Sequence, residues 1–168
     1  MDVVYLETSI VSHATARPSS DPQITVLQDQ ATRWLEHERT KYLIVTSQLV
    51  ITEAARGDSD AAARRLALLA DIPVLDHNPD VDEVADKLIA RFLIPASARL
   101  DALHVATASL AGVQYLLTQN CRHIANAHIL PRVYRLLDEL GLPGMLICTP
   151  AEFLGAADDT DHEESNPQ

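Results

Sequence analysis

The chain has 168 residues, of which 47% are hydrophobic and 22% charged, a composition typical of one soluble globular domain. The formal net charge of −11 and the seven aromatic residues argue against sequence-blind binding of nucleic acid through a basic surface or a base-stacking platform. No apolar stretch approaches the roughly 18 residues that cross a membrane, and the acidic start of the chain lacks the pattern of a signal peptide.

Part of the negative charge is concentrated at the carboxyl end of the chain. Residues 155–168 contain five acidic residues and no Lys or Arg, which predicts a flexible tail and leaves a net charge of −6 for a domain formed by residues 1–154. Cys121 and Cys148 form no CxxC pair, which excludes a zinc ribbon and is typical of a cytoplasmic protein. Any chemistry on a polyanion must therefore be local, and a metal ion is the obvious means of reversing the charge.

Short apolar runs alternate with helical patterns along the chain. The five runs predict strands, with Pro73 placing the third at a sheet edge: 3–6, 42–45, 72–75, 115–117 and 145–148. Between them, capping residues and i, i+3, i+4 periodicity predict helices that begin at Ser20-Asp21-Pro22-Gln23, after Ser59, at Asn78-Pro79-Asp80, near residue 98 and near Pro131. This alternation favours an α/β sandwich on a mostly parallel sheet, in which ligands bind beyond the carboxyl ends of the strands.

Three acidic residues break the local apolar pattern. Glu7 directly follows the first strand, Glu53 shares a helical face with Val50 and Ala54, and Asp101 opens an otherwise apolar helix. Burying unpaired carboxylates is costly, so three convergent ones predict a hard divalent cation such as Mg²⁺ or Mn²⁺. The alternative interpretation is that each acid caps a helix or pairs with a nearby arginine.

The motifs around these acids resemble those of PIN domains, and in particular the VapC-type toxins of bacterial toxin–antitoxin pairs. The resemblance covers residues 1–154 and is carried, with an inward Glu53, by Val3-Val4-Tyr5-Leu6-Glu7-Thr8-Ser9, by Leu100-Asp101-Ala102-Leu103-His104-Val105-Ala106, and by Leu116-Leu117-Thr118-Gln119-Asn120-Cys121-Arg122-His123. It implies a three-layer sandwich with a central, mostly parallel five-stranded sheet. It also implies Mg²⁺- or Mn²⁺-dependent cleavage of single-stranded or looped RNA, a homodimer, and a cognate antitoxin protein.

Carried over residue by residue, the resemblance implies that Glu7, Glu53 and Asp101 are metal ligands and that Asn120 is the fourth catalytic residue. The resemblance and the strand-end positions together suggest supporting hydroxyls and phosphate contacts around these four: Thr8, Ser9 and Thr118 as hydroxyls, and Arg122 and His123 as RNA contacts. Glu7 and Asn120 stand where the family usually has Asp, so the expected cluster carries a charge of −3 instead of −4. His123 is the other candidate for the fourth position, and His104 fits a structural role as well as a functional one.

Two other functions remain open at this stage. One is a catalytically degenerate PIN-like module that binds RNA or protein without cutting it. The other, ranked lower, is a signalling receiver domain, since Asp76 follows an apolar run as a phosphoacceptor would; Thr149-Pro150, however, stands where a receiver has Lys-Pro. The chain contains no GxGxxG, P-loop, GxSxG or HExxH motif.

Overall fold

The computed structural model describes residues 1–155, and the predicted acidic tail lies outside this range apart from Gly155. Four strands alternate with seven α-helices: β1 Val3–Leu6, α1 Thr8–Thr15, α2 Pro22–Arg33, β2 Leu43–Val45, α3 Gln48–Ala54, α4 Ser59–Leu69, α5 Val81–Ala90, α6 Arg99–Leu110, β3 Tyr115–Leu117, α7 Leu130–Glu139 and β4 Leu146–Cys148. A π-helical turn at Trp34–Glu38 and a 3₁₀ turn at Arg39–Lys41 extend α2, and Ala96–Ala98 precedes α6. The chain is therefore the α/β protein that the alternation of patterns predicts.

The four strands form one parallel sheet in the order β2-β1-β3-β4. The register pairs Val4 of the central strand β1 with Ile44 of β2 and with Tyr115 of β3. Because all four strands run the same way, their carboxyl ends meet along one edge of the sheet, and Glu7 and Thr118 follow β1 and β3 at that edge.

The fifth predicted strand contributes only an isolated bridge. Val74 pairs in parallel with Thr46 beyond the end of β2, through hydrogen bonds from Thr46 N to Pro73 O (2.9 Å) and from Leu75 N to Thr46 O (2.8 Å). Pro73 has no backbone N–H to donate, so this segment lies at the outer edge of the sheet as predicted but forms no regular strand. The sheet of residues 1–155 therefore has four strands instead of the expected five.

The helices begin where the sequence predicts, with different capping residues. Asp21 and Asp58 are the caps of α2 and α4, accepting hydrogen bonds from Gln23 N and Ala61 N, both at 2.9 Å. Ser20, the expected cap of α2, lies one residue before the actual cap. Ser59, the expected cap of α4, is the first residue of the helix itself. A carboxylate one residue away makes the stronger, charge-assisted bond to the first turn, which decides the boundary.

The core lies on both sides of the sheet. Val4, Tyr5 and Leu6 of β1 are all fully buried, and alternate side chains of a strand point to opposite faces, so helices cover both faces of the central strand. This gives the three layers predicted for the sandwich. No helix within residues 1–155 is long and apolar enough to cross a membrane.

Candidate active site

Glu7 is held at the carboxyl end of β1 by the first turn of α1. Its Oε2 accepts hydrogen bonds from the Ser9 backbone N–H (3.1 Å), from the Ser9 hydroxyl, and from Thr118 Oγ1 (2.7 Å) across the sheet. Glu7 is therefore the cap of α1, a role that the alternative interpretation of the three acids includes. The residue is only 4% exposed, and no Lys or Arg among residues 1–155 forms an ion pair with it.

Glu53 approaches the same place from α3. Its Oε2 accepts hydrogen bonds from Thr8 Oγ1 (2.5 Å) and from His104 Nε2 (2.7 Å). Helix α6 supplies His104, which is fully buried and whose Nε2 also lies 3.9 Å from Glu7 Oε1. Three elements that are distant in sequence thus bring two carboxylates and one imidazole together.

A chain of hydrogen bonds fixes which nitrogen of a neutral His104 ring carries the proton. A carboxylate only accepts, so Nε2 donates to Glu53 and Nδ1 must accept from the Tyr5 hydroxyl at 2.9 Å. The Tyr5 oxygen then accepts from Ser47 Oγ at 2.7 Å, and Ser47 Oγ accepts from Val50 N at 3.4 Å. Every donor in this buried chain has one acceptor, so His104 is held in one tautomer and one orientation.

The same contacts keep Glu53 ionised. Partial burial by itself raises the pKa of the Glu53 carboxyl, but the hydrogen bond and the electrostatic interaction with the His104 ring, the Thr8 hydroxyl and the positive charge of Arg56 together lower that pKa below its ordinary value. Glu53 is therefore a carboxylate at neutral pH and stays available as a metal ligand.

The donor set of this cluster fits a divalent cation. One ligand atom from each of Glu7, Glu53 and His104 lies within 4.8 Å of the other two. On both glutamates Oε2 takes all the hydrogen bonds, while Oε1 accepts none from residues 1–155. Two oriented carboxylates, each with one uncommitted oxygen, are the ligands that Mg²⁺ and Mn²⁺ prefer.

Asp101 lies in a second group of side chains beside this cluster. Its Oδ2 is 2.9 Å from His123 Nδ1, and its side chain is 19% exposed. Asn120 Oδ1 accepts a hydrogen bond from the His123 backbone N–H at 3.0 Å, so the Asn120 amide closes the loop after β3. Asp101 precedes His104 by three residues on α6, which places both on one face of the helix.

The supporting residues divide in the same way. Thr8, Ser9 and Thr118 all donate to the two glutamates, while Arg122 is exposed and its carbonyl accepts from Asn126 Nδ2 (3.0 Å). Sequence reasoning missed Tyr5 and Ser47, whose contacts with His104 and with each other cross the fold. For His104, the sequence does offer a signal: a histidine one turn after Asp101 in an otherwise apolar helix.

A cavity of about 700 Å³ lies elsewhere in the molecule and is not lined by this cluster. It is lined mainly by aromatic and aliphatic side chains, among them Tyr42, Tyr115, Tyr134 and Phe153. The candidate active site is thus identified by its buried ionisable side chains and not by the size of a cavity.

The fold and this cluster together define an α/β protein that can hold a divalent cation at the carboxyl edge of a parallel sheet. The chain belongs to the PIN domain family, because the model of that family matches residues 4–129. This confirms the resemblance that the motifs indicate.

Two solved structures have a similar fold. The first is VapBC2 from Rickettsia felis, described as bound to a DNA fragment from its promoter: the TM-score is 0.55 and the identity 16%, over 88% of this chain and 98% of that one. The second is VapC20 from Mycobacterium tuberculosis, described as a toxin that cleaves the sarcin–ricin loop: the TM-score is 0.52 and the identity 18%, over 71% of this chain and 92% of that one. At these identities the likeness concerns the fold. No curated protein sequence matches the chain.

Proposed function

We propose that this chain is a metal-dependent endoribonuclease, the toxin of a toxin–antitoxin pair, that hydrolyses phosphodiester bonds in single-stranded or looped RNA. The observation that carries the proposal is the pair of glutamates at the carboxyl edge of the sheet, each with Oε2 fixed by protein donors and Oε1 uncommitted. Membership of the PIN family supports a nuclease, and the two VapC-containing structural neighbours support a toxin.

In this proposal Glu7, Glu53 and Asp101 hold Mg²⁺ or Mn²⁺. When bound, such a cation lowers the pKa of a water molecule and neutralises charge that develops on the phosphate oxygens. The residues of the chain orient the site: Ser9 and Thr118 fix Glu7, while Thr8 and His104 fix Glu53. The fixed orientation costs no reorganisation when the substrate arrives, which is the main way in which a protein supports this chemistry.

The outer group has a separate part in the proposal. Asn120 shapes the loop after β3, and His123 lies between Asn120 and Asp101, where a phosphate of the substrate meets the site. Arg122 on the same loop is exposed and available to a phosphate. The proposal includes two partners, an antitoxin protein and a second copy of the chain, and a cytoplasmic location.

The test is cleavage of a labelled hairpin RNA with an unpaired loop, in Mn²⁺, in Mg²⁺ and in chelator. We expect cleavage only with metal. We expect the cleavage rate of Glu53→Gln to fall at least about a hundredfold, since each 1.36 kcal/mol of lost transition-state stabilisation lowers the rate tenfold. Asp138→Asn is the matched control, since Asp138 is an exposed acid on α7 whose side chain forms no hydrogen bond or ion pair within residues 1–155. Cleavage by folded Glu53→Gln at the wild-type rate would contradict the assigned site.

One observation favours a binding module that does not cut. Asn120 Oδ1 is used by the His123 N–H, and an amide adds no negative charge, so fewer anionic ligands are available than in a site with four acids. Metal-dependent protection of RNA without cleavage, by wild-type protein that retains its fold, would select this second function.

A further inference from the structure

A group of arginines lies at the far end of α1 from the acid cluster. Arg17, Arg64 and Arg65 line a cavity of about 320 Å³ together with Ser12, Thr15 and Asp58. Arg56, at the end of α3, is joined to this group because its carbonyl accepts a hydrogen bond from Arg65 Nη2 (2.5 Å). The group is defined here as the arginine cluster Arg17, Arg56, Arg64 and Arg65.

None of these arginines forms an ion pair with a carboxylate within residues 1–155, although the protein is strongly acidic and the charge of Arg56 acts on Glu53. Four other basic residues are paired: Lys41 with Glu38, Lys87 with Glu83, Arg91 with Glu139, and Arg99 with Asp82 and Asp86. What distinguishes the arginine cluster is that its members lie next to one another around one cavity. The one acid of the cavity, Asp58, accepts from Ala61 N as the cap of α4. In a chain with 24 acids and 13 bases, four neighbouring unpaired guanidinium groups form a local positive site.

Part of the arginine cluster is held rigidly by backbone carbonyls. Arg64 Nε donates to Thr15 O at the end of α1, and Arg65 Nε donates to Ala54 O at the end of α3, both at 2.9 Å. These bonds satisfy helix C-termini, which is one function of the two side chains. A guanidinium has five N–H groups. Hydrogen bonds to backbone carbonyls use one of these groups in Arg64 and two in Arg65, so donors remain for an anion.

A polar stripe connects the arginine cluster to the acid cluster. Thr8, Ser12 and Thr15 are spaced i, i+4 and i+7, which places them on one face of α1. Thr8 donates to Glu53, while Ser12 and Thr15 line the cavity, about 6 Å and about 11 Å farther along the helix at 1.5 Å per residue. All three are partly exposed, so the stripe is open to a polar polymer.

We propose that the arginine cluster is a binding site for backbone phosphates of the RNA substrate, and that the RNA strand runs along the hydroxyl stripe of α1 from Glu53 to the cavity. This rests on the proposed function and names how its substrate is held. Guanidinium groups bind phosphate through two parallel hydrogen bonds, and contacts to the backbone set the register of the strand without reading its sequence. The site explains how a chain with a net charge of −11 retains a polyanion next to its carboxylates.

The test is the salt dependence of RNA binding in chelator, measured by fluorescence anisotropy. Arg17→Gln and Arg56→Gln suit it, because neither side chain forms a hydrogen bond or ion pair within residues 1–155. The charge of Arg56 also acts on Glu53, so the single variant Arg17→Gln separates the loss of a phosphate contact from a change at the acid cluster. We expect the double variant to bind at least about tenfold more weakly at low salt, and the slope of log K against log salt to fall by about 0.7 for each lost contact. Arg135→Gln, an exposed and equally unpaired arginine on α7, is the control and should leave the slope unchanged.

The outcomes separate this inference from the proposed function. Wild-type cleavage with an unchanged salt slope in the double variant would overturn the phosphate site and leave the nuclease intact. Absence of metal-dependent cleavage by wild type would overturn the nuclease, while the salt slopes still decide whether the arginines bind RNA. Displacement of the RNA by polyglutamate at equal charge concentration would assign the cluster to an acidic peptide and overturn the proposal.

Discussion

Each carboxylate of the acid cluster has two oxygens with different surroundings. Oε2 of Glu7 and of Glu53 is surrounded by donors from Ser9, Thr118, Thr8 and His104, whereas Oε1 accepts no hydrogen bond from residues 1–155. The hydroxyl donors and the buried imidazole therefore orient the carboxylates before a cation or a substrate arrives. The protein holds the two neighbouring carboxylates mostly with neutral hydrogen-bond donors. The carboxylates therefore remain available to bind a cationic ligand.

At this scale we predict that His104→Ala lowers the free energy of unfolding by about 2–4 kcal/mol in chelator. It removes a fully buried ring, leaves the Tyr5 hydroxyl proton without its acceptor and removes one of the two hydrogen bonds to Glu53 Oε2. Tyr5→Phe should lower the free energy of unfolding by about 1 kcal/mol. Ser109→Ala, which removes a buried hydroxyl from α6, the helix of His104, should lower it by no more than that. Urea unfolding measures all three.

The tautomer of His104 gives an independent check. Long-range ¹H–¹⁵N spectra of the metal-free protein should show the ring proton on Nε2, because Nε2 is the nitrogen that faces the Glu53 carboxylate. A proton on Nδ1 alone would contradict the direction of the whole hydrogen-bond chain through Tyr5 and Ser47.

At the scale of elements, the inner strands carry residues of the candidate site, whereas the edge strand β4 carries a residue that contributes to stability. The carboxyl ends of β1 and β3 carry Glu7 and Thr118, while the edge strand β4 carries a buried thiol, Cys148, whose Sγ lies 3.8 Å from Leu116 O. Burial raises the pKa of this thiol from its ordinary value of 9.0 to about 12, with a smaller contribution from Glu152. Cys121, on the loop after β3, is exposed.

We predict that one thiol per native chain reacts rapidly with an aromatic disulfide reagent at pH 8, and two after unfolding. The thiolate is the nucleophile, so exposed Cys121 reacts while Cys148 stays protonated and covered. Cys121→Ser should have no fast thiol; rapid labelling of Cys148 in that variant would show that β4 opens.

The raised pKa of Cys148 also predicts the sign of its contribution to alkaline stability. Below pH 9 the thiol is protonated in both states, and between pH 9 and about 12 it ionises only in the unfolded chain, so its stabilising effect is lost as the pH rises. Melting temperatures should therefore fall less steeply over this range in Cys148→Ala than in wild type. Equal slopes would mean that the thiol is not buried.

At the scale of the whole molecule, the distribution of charge determines how a polyanion is received. The arginine cluster and the acid cluster lie at the two ends of α1, and residues 158–164 add five acidic residues to a body of net charge −6. We predict that a chain ending at Gly155 binds RNA several-fold more tightly at low salt, and equally at high salt, because long-range repulsion is screened.

The same shortened chain tests the domain boundary proposed at residue 154. Its melting temperature should equal that of the full chain. A full-length variant with the five tail acids changed to amides should reproduce the gain in RNA affinity, since the effect comes from charge. Loss of stability on truncation would place residues 156–168 in the folded domain.

The sequence by itself determined the fold class, the family and most of the elements. Apolar runs and helical periodicity are local properties, so they predicted the parallel α/β sandwich, the edge position of the run at Pro73, and the strand-end position of Glu7. The motifs predicted the family. What they could not predict is which partner each side chain takes, because that depends on residues brought together from distant parts of the chain.

Only the tertiary structure decided that Glu53 bonds to His104, that Asp101 bonds to His123, and that Tyr5 orients the imidazole. These pairs are 22 to 99 residues apart in the chain, and their energies arise from burial and geometry that exist only after the sheet and helices have packed. The arginine cluster has the same origin: its members lie on three segments, and their shared lack of a carboxylate partner becomes visible only when α1, α3 and α4 are placed side by side.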